Sequence, residues 1–309
     1  RGNDPGLELL GDGTFVTTTY GHWEKGQQPY IASVRFKIEE LDAIAAKTGP
    51  HKVAVFTSRE DGYHTYRIPA LLTTQKGTLL AFCEGRKSGR SDSGNIDLLL
   101  KRSEDGGKTW SGRQIVWDDG GNTCGNPCPV QDRQTGVIHL LLTWNRGDDR
   151  ESAIKKNTSK DTRRVFVATS NDEGKTWSEV RQITDATKRK EWRWYATGPG
   201  VGIQLHKGPA AGRLVVPCDH SVVTPNDPDG YNSHVIISDD HGKTWRIGGV
   251  ITPKVNECQI VELADGRLMI NMRNYDRSKT SRAIAVSDDG GLTFSPVTHD
   301  PTLVEPICQ

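Results

Sequence analysis

One eight-residue motif occurs four times in the chain and restricts the fold more than any other feature. It fits the pattern S-x-D-x-G-x-T-[W/F] and begins at Ser103, Ser170, Ser238 and Ser287. The starts are 67, 68 and 49 residues apart, so the motif is constant while its period is loose. An Asp followed two residues later by Gly, between apolar runs, is typical of a hairpin turn. The carboxylate caps backbone N–H groups and the Gly supplies a positive φ. We call this motif the Asp box.

Repeats of this kind, each with a few short strands, are typical of the blades of a β-propeller. The sequence therefore predicts an all-β fold of four-stranded antiparallel blades, incomplete within this chain. The 33 Gly and 15 Pro among 309 residues suit a turn-rich protein. The Asp-box carboxylates recur with the turns, so we interpret them as turn caps rather than as catalytic groups or calcium ligands. They are Asp105, Asp172, Asp240 and Asp289.

Charge and hydropathy exclude some partners. The formal net charge of +1 provides no bulk attraction to nucleic acid or to an anionic membrane. No apolar run approaches the roughly 20 residues that a membrane span needs. Cys124 and Cys128 have no second pair at zinc-like spacing, so no metal site is predicted. The chain begins at Arg1 without an apolar leader, which is expected of a processed chain or an excised segment.

Residues 1–50 carry no Asp box and are predicted to form a separate N-terminal segment. The turn at Gly11–Thr14 predicts a hairpin, residues 30–38 alternate as a strand, and residues 39–47 predict a short helix that stops at Gly49-Pro50. These elements are fewer than a whole blade contains. The segment is expected either to close the propeller ring or to end a preceding domain.

Residues 51–309 are predicted to hold the propeller, with its last blades missing. Its first blade is predicted from four strands: Val53–Thr57, Tyr66–Leu72, Thr78–Glu84 and Ile96–Ser103. Pro69 in the second of these strands implies a bulge or an edge position, because proline cannot donate to the ladder. Three long irregular segments are expected on one face, where such insertions usually shape a site. They are residues 118–129, 145–161 and 221–232.

Three polar features stand out from the blade framework. Arg67 lies in an R-I-P strand, Arg86 opens a loop crowded with cations around Asp92, and Glu257 lies on a strand sixteen residues before Arg273. Arginines from different blades would converge at the centre of a propeller. Converging guanidinium groups bind a carboxylate bidentately. Any one of these arginines, taken alone, is better interpreted as a surface or ion-paired residue.

The order of these residues resembles the exo-α-sialidases (neuraminidases) of the retaining glycoside-hydrolase type. The resemblance lies in the R-I-P strand, an Asp-bearing loop 25 residues later, several Asp boxes, and then the strand Glu and its Arg. It covers about residues 53–309. It implies a six-bladed Asp-box propeller that hydrolyses terminal α-linked sialic acids of glycoproteins and glycolipids without a cofactor. It also implies a secreted or periplasmic location.

The resemblance further implies a role for each residue. Arg67 and Arg273 match two arginines of the triad that grips the sialic acid carboxylate, and Arg86 matches a further substrate-binding arginine. Asp92 matches the general acid/base. Glu257 matches the carboxylate that takes the proton of a nucleophilic tyrosine. A neutral tyrosine suits this substrate because a carboxylate nucleophile would be repelled by the carboxylate on the anomeric carbon.

The chain departs from the family pattern at its end. The third triad arginine and the nucleophilic tyrosine normally follow an E-P-x-C-Q-like segment, which here occupies residues 305–309. Neither residue is assigned; Tyr20 is a weak alternative that reads better as an ordinary strand residue. A non-catalytic propeller, acting as a glycan-binding or protein-interaction module, therefore stays open as the second hypothesis. Aromatic residues at 192–195 either stack on sugar or pack in a loop, and the same holds for Trp144 and the polar loop after it.

Overall fold

The computed structural model describes residues 6–21, 26, 28, 30–37, 39–40 and 51–305. The described residues form an all-β structure of four-stranded antiparallel units in chain order. The first sheet contains β1 Gly6–Leu9, β2 Phe15–Gly21, β3 Tyr30–Phe36 and β4 His51–Thr57. The second contains β5 Thr65–Thr73, β6 Leu79–Arg86, β7 Ile96–Ser103 and β8 Gln114–Trp117. The third contains β9 Thr123–Gln131, β10 Ile138–Asn145, β11 Arg164–Ser170 and β12 Arg181–Gln182. A parallel pairing of Ile96 with Thr123 joins the second and third units into one eight-stranded sheet, but each unit is called a sheet below.

The fourth and fifth units follow the same plan. In the fourth sheet, β13 Tyr195–Thr197 and β14 Ile203–Gln204 both pair with β15 Leu214–Ser221, followed by β16 Tyr231–Ser238 and β17 Arg246–Ile251. The fifth contains β18 Val255–Glu262, β19 Leu268–Asn274, β20 Ser281–Ser287 and β21 Thr298–Val304. Two short helices, α1 Glu151–Lys155 and α2 Thr184–Thr187, lie in connecting segments. Within the described part of the chain, no helix has the length and apolar content to cross a bilayer.

The Asp boxes join the third and fourth strands of the second to fifth sheets, whereas the sequence pattern predicted the first box after the fourth strand of its blade. In the first box, Asp105 Oδ1 accepts hydrogen bonds from the backbone N–H groups of Lys108 and Thr109, both at 3.0 Å. Thr109 Oγ1 donates to Asp105 Oδ2 at 2.6 Å, and Gly107 has φ +84°. These hydrogen bonds from Thr109 lower the pKa of Asp105. The interpretation of the box carboxylates as turn caps is confirmed.

The hydrophobic core lies between successive sheets. One cluster joins the second and third sheets through residues such as Phe82 and Leu140, and another joins the third and fourth through Val130 and Val216. Further clusters join the first sheet to the second and the fourth to the fifth. Burial of these faces stabilises the stack by roughly 25 cal/mol for each Å² of apolar surface. Each sheet thus depends on its neighbours.

The strand membership of the first blade was predicted wrongly. The strand at residues 51–57 pairs with β3, so it completes the N-terminal sheet instead of opening the next one. The second sheet ends with β8, which follows its Asp box. The physical reason is that pairing between distant strands leaves no local mark in sequence. The division into domains at residue 50 remains a prediction, and most of the helix predicted at 39–47 lies outside the described residues.

The predicted loop at residues 118–129 was also partly wrong. Residues from Thr123 onward form β9, although their Gly, Asn and Pro content reads as a turn. This strand is buried along its whole length, and it carries a bulge that accommodates those residues. The other two long segments do connect strands, and the first of them contains α1.

Candidate functional site

One polar cavity, with a volume of ≈ 150 Å³, collects all five residues that the sequence singled out. The first strand of each of the second to fifth sheets contributes to its wall. These contributions are Arg67 and Ile68 from β5, Asn126 from β9, Ala196 from β13, and Asn256 and Glu257 from β18. Arg86 and Asp92 come from the end of β6 and the loop after it, and Arg273 comes from β19.

A β-bulge in β5 sets the position of Arg67. Arg67 pairs with Glu84 and Ala70 with Phe82, so β5 has one residue more than its partner in this interval. Ile68 has φ 53°, a strained value for a β-branched residue, and Pro69 has no N–H to lose from the ladder. The bulge predicted at Pro69 is confirmed. A bulge changes the direction of neighbouring side chains, and Arg67 faces the cavity beside it.

A β-bulge also occurs in β18 and in β9. In β18, Val255 pairs with Asn274 and Cys258 with Met272, which places Asn256 and Glu257 in the bulge. Arg273 lies opposite them on β19, and its Nη1 is 3.0 Å from Glu257 Oε2. In β9 the bulge lies beside Asn126, which has φ 52°.

Arg67, Arg86 and Asp92 form one ion-paired cluster at the mouth of the cavity. Asp92 Oδ1 is 2.9 Å from Arg67 Nη1 and 2.8 Å from Arg86 Nη2. Burial opposes the charge on Asp92, but Arg86 and Arg67 outweigh it and lower the pKa of this carboxyl. Arg86 is buried, and its Nη2 also lies 2.6 Å from Glu84 Oε2. The ion pair with Glu84 therefore fixes the position of the Arg86 side chain.

Glu257 and Asp219 are two acids of the cavity whose pKa is raised. Burial raises the pKa of Glu257, although the adjacent Arg273 opposes the shift. Burial also raises the pKa of Asp219 well above its usual range. Asp219 Oδ1 accepts a hydrogen bond from Asn256 Nδ2 at 2.9 Å. The site thus combines one carboxyl whose pKa is lowered, that of Asp92, with two whose pKa is raised, those of Glu257 and Asp219.

Sequence reasoning missed several residues of the cavity wall. Arg163 is buried and stacks on the Trp194 ring, with 3.9 Å from Cζ to the ring centroid. Its guanidinium donates to Asn126, Thr143 and Asn145, and burial lowers its pKa to about 10. The other missed residues are Glu84, Asn126, Glu151, Asp219, Tyr231 and Tyr275. A polar residue next to proline inside a strand, as at Asn126-Pro127, is a signal that could have found one of them.

The aromatic candidates divide between cavity and core. Trp194 lines the cavity, whereas Trp192 stacks on His220 and Tyr195 packs with His234 in the buried interior. Trp144 lies outside the cavity wall and its Nε1 donates to Asp119 Oδ2 at 2.7 Å. The backbone of residue 20 lies in β2, but the side chain of Tyr20 is outside the described part.

Comparisons with known proteins agree with this architecture. Residues 77–305 match the family model of the BNR repeat-like domain. The chain is 37% identical to a sialidase of Micromonospora viridifaciens over 254 residues, covering 80% of the chain and 38% of the relative. It is 32% identical to sialidase-2 of Mus musculus, covering 79% of the chain and 66% of the relative. The solved structure of Hadza microbial sialidase Hz136 superposes with a TM-score of 0.72 at 28% identity. That match covers 95% of this chain and 56% of the other.

The chain therefore spans between about two fifths and two thirds of the length of the curated relatives it matches. The four-stranded antiparallel sheets are similar to those of sialidase β-propellers. The five predicted site residues converge in space. Their individual roles remain predictions.

Proposed function

The chain belongs to the sialidase family of BNR-repeat proteins, and from this membership we propose that it acts as an exo-α-sialidase. It would remove terminal α-linked sialic acids from glycoconjugates with retention of configuration, as part of a six-bladed propeller. The observation that carries the proposal is the convergence of Arg67, Arg86, Asp92, Glu257 and Arg273 on one cavity.

The arginines supply the binding step. Arg67 and Arg273 come from separate sheets and face the same cavity, so their guanidinium groups can take the substrate carboxylate between them. Without substrate, Arg67 is paired with Asp92 and Arg273 with Glu257. A carboxylate ligand would exchange these internal pairs for pairs with substrate. The arginines are thus held in position by the acids that the reaction also needs.

The acid/base step follows from that exchange. Arg86 and Arg67 lower the pKa of Asp92 in the empty cavity, whose burial alone would raise it. A substrate carboxylate beside Arg67 would offset this positive charge and raise the pKa of Asp92. Asp92 could then protonate the leaving glycosidic oxygen and afterwards accept a proton from the attacking water.

Glu257 is proposed to accept the proton of a tyrosine nucleophile. Burial raises the pKa of Glu257, so its carboxylate is a stronger base than an exposed one, which suits a group that gains a proton as the glycosidic bond breaks. The nucleophilic tyrosine and the third arginine are not assigned to residues of this chain.

Release of a fluorogenic leaving group from an aryl α-sialoside tests the proposal. We expect turnover by the chain, or by a form that continues past Gln309. Asp92→Ala should lose at least about a hundredfold with sialyllactose as substrate, because the lactose leaving group needs a proton. Arg246→Ala serves as control, because Arg246 is exposed, pairs with Asp239 and lies outside the cavity wall. NMR shows which anomer of sialic acid is released first, and this tests retention. If the chain and its extended form both bind sialic acid but neither turns over the substrate, the protein is a glycan-binding module.

A further inference from the structure

A second cleft opens beside the site cavity and shares part of its wall. Its volume is ≈ 600 Å³, within the usual range for small-molecule sites. Asp92, Glu151 and Tyr231 line both spaces and so form the partition between them. The remaining wall comes from Ser91 and Ser93, from the segment around α1, and from the loop before β16.

The acids of this cleft already have partners. Asp92 is paired with Arg67 and Arg86, and Asp229 Oδ1 lies 3.4 Å from Lys155 Nζ. Glu151 Oε1 accepts a hydrogen bond from the Tyr231 hydroxyl at 2.6 Å.

Two cations of the same cleft are not engaged in this way. Arg150 and Lys156 flank α1, and both are exposed. Within the described residues, neither side chain takes part in an ion pair. The hydrogen bond from Tyr231 leaves Glu151 its negative charge, so the cleft carries a surplus of one positive charge on this side of Asp92, provided by two cations that are exposed.

Part of the cleft wall is apolar. Val223 and Pro228 line it, and so does Tyr231, whose ring packs against Tyr275 and lies 3.9 Å from Lys155 Nζ. Aromatic and aliphatic surface with a few charged groups at the rim is typical of ligand sites.

We propose that this second cleft holds the leaving-group sugar and favours one that carries a carboxylate, such as a second sialic acid. The inference rests on the proposed function, because a general acid must lie within hydrogen-bond reach of the leaving oxygen. Asp92 lines both spaces, so a leaving group that Asp92 protonates would enter this cleft when the sialic acid occupies the site cavity. Arg150 and Lys156 would bind the second carboxylate there.

The test uses two ligands with non-hydrolysable sulfur linkages: an α2,8-linked disialoside and sialyllactose, whose leaving group is neutral. Calorimetry at low ionic strength is expected to show tighter binding of the disialoside. Arg150→Gln/Lys156→Gln should reduce that preference roughly three- to tenfold, as expected for two solvent-exposed charges. Added salt should reduce it in the same way.

The double substitution Lys108→Gln/Lys175→Gln is the matched control, because it removes the same charge from exposed Asp-box positions outside both cavities. Equal binding of the two ligands by the unaltered chain would overturn the inference alone. So would a loss in Arg150→Gln/Lys156→Gln that is equal for both ligands or is matched by the control. Binding of neither ligand would overturn the proposed function and the inference together.

Discussion

Replacement of Arg86 by methionine should destabilise the protein far more than loss of an ordinary surface arginine. The side chain is 2% exposed, and its Nε and Nη2 donate to Glu84 Oε2 at 3.0 and 2.6 Å. Methionine fills similar space without charge. It leaves Glu84, which is 3% exposed, with the backbone N–H of Asn126 as its remaining donor among the described contacts. Breaking a buried pair from one side costs about 3–5 kcal/mol.

Urea unfolding followed by tryptophan fluorescence at pH 7 measures this cost. The variants are Arg86→Met, Glu84→Gln and the two combined. The combined variant has no unpaired buried charge, so it should lose at least about 1 kcal/mol less than the sum of the single changes. Arg246→Met removes an exposed ion pair with Asp239 and should cost no more than about 1 kcal/mol.

Two results would refute this reasoning. The first is a cost for Arg86→Met as small as that for Arg246→Met. The second is strict additivity of the Arg86 and Glu84 changes, because additivity would mean that the two side chains do not depend on each other.

Three further predictions concern single carboxyls and arginines. Asp172→Asn should cost about 0.5–1.5 kcal/mol at pH 7, because the amide NH2 cannot accept the hydrogen bond that Thr176 Oγ1 donates to Asp172 Oδ2. Although burial opposes the shift, hydrogen bonds from Thr176 lower the pKa of Asp172 to about 2. The difference in urea midpoint between this variant and the unaltered protein should therefore be constant above about pH 4 and should vanish as the pH falls through about 2. A difference that stays the same down to about pH 2 would contradict this prediction. Asp219→Asn should gain stability relative to the unaltered protein as the pH rises from about 4 to 7. Burial raises the pKa of Asp219, so the folded form keeps a proton that the unfolded chain releases above about pH 4; equal midpoint gaps at pH 4 and 7 would refute it. Arg273→Lys should weaken calorimetric binding of N-acetylneuraminic acid by about tenfold or more, because an ammonium group cannot make the two parallel hydrogen bonds of a guanidinium. Unchanged affinity would exclude Arg273 from carboxylate binding.

The sequence alone determined the features that depend on a few neighbouring residues. The Asp box is a turn because one carboxylate caps the N–H groups of the residues three and four positions later and one Gly adopts positive φ. The bulge at Pro69 is likewise local, since proline has no N–H for the ladder. For the site, the family pattern was needed in addition. It selected Arg67, Asp92 and Glu257 from many similar side chains.

The tertiary structure alone decided which distant residues meet. The strand at residues 51–57 joins the sheet before it, because its partner β3 lies across a long connection. Arg163 and Asp219 reach the cavity for the same kind of reason. Each lies in or next to a strand of mostly apolar residues, and its local sequence gives no sign of a polar site. Whether such a side chain meets water, a core or a cavity depends on how the sheets pack, and that packing is a property of the whole chain.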